Sequence, residues 1–139
     1  MSAGAVRIWV DGACRGNPGP ASIGGVIQDA ASGAVLKEIS ECLGHSTNNI
    51  AEYTALIRAL EEAKTLGASE VDVRSDSLLL VKQMAGEYRV KHPNLKPLFE
   101  KARVLAASFG RFRFQHVFRE ENQEADRLAN LALDRAWRS

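Results

Sequence analysis

The chain has 139 residues, 45% of them hydrophobic and 25% charged, with a formal net charge of +1. That balance belongs to a globular domain with room for a full apolar core, and no apolar run approaches the ~20 residues of a membrane span. Cys14 and Cys42 make no CxxC or metal-ligand spacing and Met1-Ser2-Ala3-Gly4 resembles no signal peptide, so free thiols in a reducing cytoplasm are expected.

Val6-Arg7-Ile8-Trp9-Val10 reads as a strand that delivers Asp11 to its end, because Gly16-Asn17-Pro18-Gly19-Pro20 cannot continue a pleat. Residues 22–29 and 34–43 are two further β-like runs, separated by Ala30-Ala31-Ser32-Gly33, and a three-stranded meander is expected. Turn and capping residues fill Gly44 to Asn49. A helix over 50–66 follows, its apolar stripe formed by Ile50, Tyr53, Leu56, Ile57, Leu60 and Ala63, with Gly67 as the stop.

Val71–Ser75 predicts a short strand ending at Asp76, then a helix through Met84 closed by Gly86. Pro93 and Pro97 bracket the start of a helix over 95–107, which Gly110 ends. Arg111–Arg119 alternates, placing Phe112, Phe114 and His116 on one face, so His116 is expected to be packed. Asn122 is the expected N-cap of the last helix, whose Ala125, Leu128, Ala129 and Ala132 face the core. The order β-β-β-α-β-α-α-β-α, without repeats or linkers, is that of one domain over 1–139 with its core at about 5–136.

Four acids stand at element boundaries. Asp11 and Asp76 end strands that, if adjacent and parallel, deliver both carboxylates to one sheet edge. Glu52 sits in the first turn of its helix on the flank of the apolar stripe, and Asp126 follows the inward Ala125. Each taken singly has a plain alternative: a solvated turn aspartate, a helix cap, or an acid favoured by the helix dipole. Together they repel, and divalent cations resolve that repulsion. Hard Mg²⁺ takes carboxylate and water oxygens, and two such ions serve in-line phosphoryl displacement. No Ser-His-Asp order, Cys-His pair, Walker loop or zinc set competes.

Charge along the chain is polarised. Residues 1–81 carry six Lys/Arg against ten Asp/Glu, whereas residues 82–113 carry eight against two. Cation binding beside polyanion binding is one explanation; solvated helix faces are the other.

The segments Asp11-Gly12-Ala13-Cys14, Gly16-Asn17-Pro18-Gly19-Pro20, Thr47-Asn48-Asn49-x-x-Glu52, Ser75-Asp76-Ser77 and Asn122-x-x-x-Asp126-x-Leu128-Ala129, in this order, resemble the type 1 ribonuclease H family over nearly the whole chain. The resemblance implies an α/β ribonuclease H-like fold. Its five-stranded mixed sheet would have three antiparallel strands, then two parallel to strand 1, and helices would flank it. It also implies hydrolysis of the RNA strand of an RNA–DNA hybrid, leaving 3′-hydroxyl and 5′-phosphate ends. Two Mg²⁺ ions, with Mn²⁺ as a substitute, would be held by Asp11, Glu52, Asp76 and Asp126. Substrate contacts would come from Gly12, Cys14, Asn17, Thr47, Asn48 and Asn49, whose small side chains and amides suit a minor groove bearing 2′-hydroxyls.

Two departures from the family pattern matter. The long basic protrusion that many members carry is replaced by the short stretch 86–97, with Arg89, Lys91 and Lys96 as partial substitutes and Tyr88 beside them. The loop that holds a catalytic histidine in many members is missing, since only Arg119-Glu120-Glu121 separate the strand from Asn122. Arg119 is therefore the expected residue at the scissile phosphate. Added activity on double-stranded RNA, or a catalytically inactive hybrid-binding domain, are the alternatives. No membrane or protein partner is implied, and a monomer is the default.

Overall fold

The computed structural model describes residues 4–138. Five strands, β1 (Gly4–Cys14), β2 (Gly19–Asp29), β3 (Val35–Ser46), β4 (Ala68–Ser75) and β5 (Arg111–His116), form one sheet in the order β3-β2-β1-β4-β5. β1 pairs antiparallel with β2, and β2 with β3; β4 and β5 run parallel to β1. The helices are α1 (Asn48–Thr65), α2 (Leu78–Met84), α3 (Lys96–Ala107) and α4 (Gln123–Arg138), and a 3₁₀ turn over Arg119–Glu121 precedes α4. The expected mixed sheet with flanking helices is what forms. Among the described residues, no helix is long and apolar enough to cross a membrane.

β1 does not stop at Asp11. It continues to Cys14 because antiparallel pairing with β2 extends from Val6↔Asp29 to Cys14↔Ala21, whereas its parallel pairing with β4 ends at Trp9↔Arg74. Asp11 therefore lies inside a strand on one side and beyond the end of the neighbouring strand on the other. β4 stops where its last residue, Ser75, accepts the Ser77 N–H on its hydroxyl at 3.0 Å, while Ser77 Oγ caps α2 by accepting from Leu80 N at 3.2 Å. Ser77, rather than Asp76, is the cap.

Helix α1 begins at Thr47, whose Oγ1 accepts the Ile50 N–H at 3.2 Å, and ends before Gly67 at φ 77°. Its buried arc is wider than the six-residue stripe: Ala51, Glu52, Ala55 and Ala59 are also inside. The helix lies between the sheet and α3, so two of its faces are covered. Tyr53 spans the gap to α2, its hydroxyl donating to Gln83 Oε1 at 2.6 Å inside the core.

Two glycines bring the helices onto the strands. A Cβ on Gly12 would stand 2.6 Å from the backbone of Ala51 and Glu52, so only glycine lets the first turn of α1 approach β1. A Cβ on Gly24 would fall on the Ala125 carbonyl and 2.6 Å from Ala129 N, so α4 rests directly on β2. Gly24 pairs with Asp11 across the ladder, so both face α4, while Gly12 faces α1. Ser22 Oγ donates to the Ala129 carbonyl and Ser40 Oγ to that of Leu128, at 2.6 Å for the latter, which pins α4 to the sheet. Gly24→Ala should destabilise by about 3 kcal/mol, the upper end of overpacking costs, because backbone rather than a mobile side chain blocks the methyl. Thermal melting checks this; an unchanged melting temperature would contradict the close approach.

Candidate active site

Four elements converge where β4 ends. Asp11 comes from β1, Asp76 from the residue after β4, and Asp126 from the first turn of α4; Glu52 lies just past the first turn of α1 rather than in it, because the helix starts at Asn48, two residues earlier than expected. Oxygens of Asp11, Glu52 and Asp76 lie within 4.8 Å of one another. Asp126 stands beside these three, near enough to raise the proton affinity of both Asp11 and Asp76. It is held there by Asn122, whose Nδ2 donates to the Val10 carbonyl at 2.8 Å and whose carbonyl receives the Asp126 N–H at 3.1 Å. Asn130, one turn on, donates from Nδ2 to Asp126 Oδ1 at 3.2 Å and orients that carboxylate.

Electrostatics make this an unstable arrangement without a cation. Burial, then the charge of Glu52, pushes the Asp11 carboxyl far above the usual carboxylate range. Glu52 rises as well, through its own burial and then through Asp76, although a hydrogen bond from the Gly12 N–H opposes the shift. Asp76 also rises on burial, countered mainly by the Arg119 guanidinium and to a smaller extent by His116. Glu52 Oε2 is buried with no hydrogen-bond partner among the described residues. An all-oxygen donor set, mutual repulsion and an orphaned buried carboxylate oxygen together fit a hard divalent cation.

The acids open into a cleft of about 560 Å³ that Gly12, Cys14, Asn48 and Arg119 also line. Cys14 Sγ donates to the Gly16 carbonyl at 2.6 Å, fastening the turn that follows β1. Asn17 Oδ1 accepts the Asn48 N–H at 3.1 Å and couples that turn to the start of α1. Thr47 serves as the α1 cap, and Asn49 lies near Tyr53 and Gln83 rather than among the residues that line the cleft. Thus Gly12, Cys14 and Asn48 meet at the acids, whereas Asn17 sits on the adjoining turn, Thr47 caps α1 and Asn49 lies within that helix.

His116 is not packed. It shares a face with Phe112 and Phe114, as alternation requires, and those two rings do pack on the core. His116, however, is the last residue of β5, paired with Ser75 at the sheet edge, so it overhangs the core and is exposed in the acidic cleft. Its ring contacts that of Phe118 edge to face, with centroids 5.9 Å apart. His116, Phe118 and Asn130 are cleft residues that strand and helix patterning passed over. The available signal for Asn130 was its position four residues after Asp126 on one helix face.

A model of the Reverse transcriptase-like family matches residues 9–132. A ribonuclease H of Geotalea uraniireducens is 36% identical over 143 residues, covering 93% of this chain and 94% of that protein. The chain belongs to the type 1 ribonuclease H family. The family fold is closely kept: LC11 ribonuclease H1, solved in complex with an RNA/DNA hybrid, superposes with a TM-score of 0.89 at 47% identity, covering 95% of this chain and 99% of that one. A bifunctional protein of Mycobacterium tuberculosis is 48% identical over 134 residues, 96% of this chain. The chain spans only 37% of the length of that mycobacterial relative.

Proposed function

We propose that the protein is a metal-dependent endonuclease that cuts the RNA strand of RNA–DNA hybrids, leaving 3′-hydroxyl and 5′-phosphate ends. The observation that carries this reading is the meeting of Asp11, Glu52 and Asp76 within 4.8 Å, with Asp126 beside them, in an open cleft of a ribonuclease H fold. These four side chains would hold two Mg²⁺ ions, or Mn²⁺ in their place. When bound, the metals supply an activated water and charge stabilisation for in-line phosphodiester hydrolysis.

The chain's own groups would set the substrate. Gly12, Cys14 and Asn48 border the acids with small side chains and backbone, where an A-form minor groove and its 2′-hydroxyls could come close. Arg119 lines the cleft and its charge favours the ionised form of Asp76, which supports a role for its guanidinium at the scissile phosphate. Arg119→Ala should slow turnover about tenfold with a smaller effect on binding; equal rates at saturating hybrid would remove it from the mechanism.

The stretch 86–97 supports a role in gripping the second strand. Val90 and Leu95 anchor it in the core, while Arg89, Lys91 and Lys96 are exposed and make no ion pair among the described residues. Such phosphate contacts make affinity fall with salt. Both cysteines are free, which suits a reducing cytoplasm.

Cleavage of sequence-matched hybrid, RNA duplex and DNA duplex, with Mg²⁺ and with EDTA, tests the proposal. The hybrid's RNA strand should be cut only with Mg²⁺ and the DNA duplex not at all. Cutting in EDTA, or an intact hybrid in Mg²⁺, would contradict it. The RNA duplex reports how far the DNA strand is required.

A further inference from the structure

Phe118 is 69% exposed, an unusual position for a large aromatic residue with a fixed backbone. Unlike the equally exposed Val104 on α3, it lines the acidic cleft. Its main chain is held on both sides. The preceding Val117 is buried and its N–H donates to the Ser75 carbonyl at 2.9 Å, while the Phe118 N–H donates to the Glu121 carboxylate at 3.2 Å. The ring itself meets His116 edge to face at an interplanar angle of 78°. An aromatic ring on a fixed backbone thus stands exposed to water, next to Arg119 and at the mouth of the cleft.

Rigid aromatic surface beside a guanidinium matches the two faces of a nucleotide: an apolar sugar–base body and an anionic phosphate. We infer that Phe118, braced by His116, is a substrate-contacting residue that packs on a nucleotide of the bound strand next to the scissile phosphate. This deepens the nuclease reading and rests on it. If Arg119 meets the scissile phosphate, Phe118 one residue earlier reaches the neighbouring sugar or base. Packing of this kind is formed in the bound state and persists through the reaction, so it acts on affinity more than on the chemical step.

The test compares wild type with Phe118→Ala, Phe118→Leu and Phe118→Trp by steady-state cleavage of the same hybrid in Mg²⁺, with anisotropy titrations of labelled hybrid in Ca²⁺. Phe118→Ala should raise KM and the anisotropy Kd about tenfold, with kcat changed less than about threefold and the melting temperature unchanged, since the ring is largely outside the core. Phe118→Trp should keep near-normal affinity and Phe118→Leu should lose most of it. Any of three results would overturn the inference while leaving the nuclease reading intact: affinity unchanged in Phe118→Ala, affinity retained in Phe118→Leu, or a fall confined to kcat. A wild type that leaves the hybrid uncut would instead defeat the nuclease reading, and this inference with it.

Discussion

Asp11→Asn and Asp76→Asn should each reduce hybrid cleavage by roughly 10³-fold or more, the scale of several kcal/mol of transition-state charge stabilisation. Either change keeps the side-chain volume and removes one anionic oxygen donor from a set whose members lie within 4.8 Å. Asp11 has the stronger expectation, because it is buried, flanked by Glu52, Asp76 and Asp126, and set beyond the end of β4 where no strand competes for it. Folding should survive, since the carboxylate removed is one that repels its neighbours. Single-turnover rates on purified variants check this, and near-normal turnover in either would refute the metal-cluster assignment.

The second large effect concerns stability in the absence of metal. Asp11, Glu52 and Asp76 all have folded-state proton affinities above their ordinary values of 3.8, 4.5 and 3.8. Above pH 4 the folded protein therefore binds more protons than the unfolded chain. Its stability should fall as pH rises from about 4 through neutrality, until the raised groups have ionised in the folded state as well. Divalent cation should reverse the loss at pH 7–8, because it binds the folded cluster and not the unfolded chain. Asp11→Asn should flatten the pH slope and raise the metal-free melting temperature at neutral pH. Melting curves across pH in EDTA and in Mg²⁺ measure both effects; a metal-free protein whose stability rises from pH 4 to 8 would contradict the repulsion derived for the cluster.

What could be read from residue order was mostly local. The stops at Gly67 and Gly86, a capping cluster ahead of α1, and the two strands that deliver Asp11 and Asp76 all follow from turn chemistry and periodicity, and the structure keeps them, with α1 starting at Asn48 rather than Ile50. Nonlocal pairing was harder to see. β1 runs on past Asp11 because β2 continues beside it, which no property of residues 11–14 alone announces. Gly12 and Gly24 look like weak positions in strands, yet they are the points where α1 and α4 touch the sheet. His116 shows the limit of alternation: the face was right, but on that face the core ends two residues earlier, at Phe114, so the same face opens into the cleft. The wide burial of α1 likewise reflects α3 on its outer side, a partner 30 residues or more away in the chain.

The central claim is that Asp11, Glu52, Asp76 and Asp126 together hold divalent metal. Anomalous difference density from crystals of the protein soaked in Mn²⁺ tests it most directly. Manganese peaks among these carboxylates, absent from Asp11→Asn crystals treated alike, are the predicted result. An empty cluster under conditions where Mn²⁺ supports cleavage, or manganese bound only elsewhere, would contradict it.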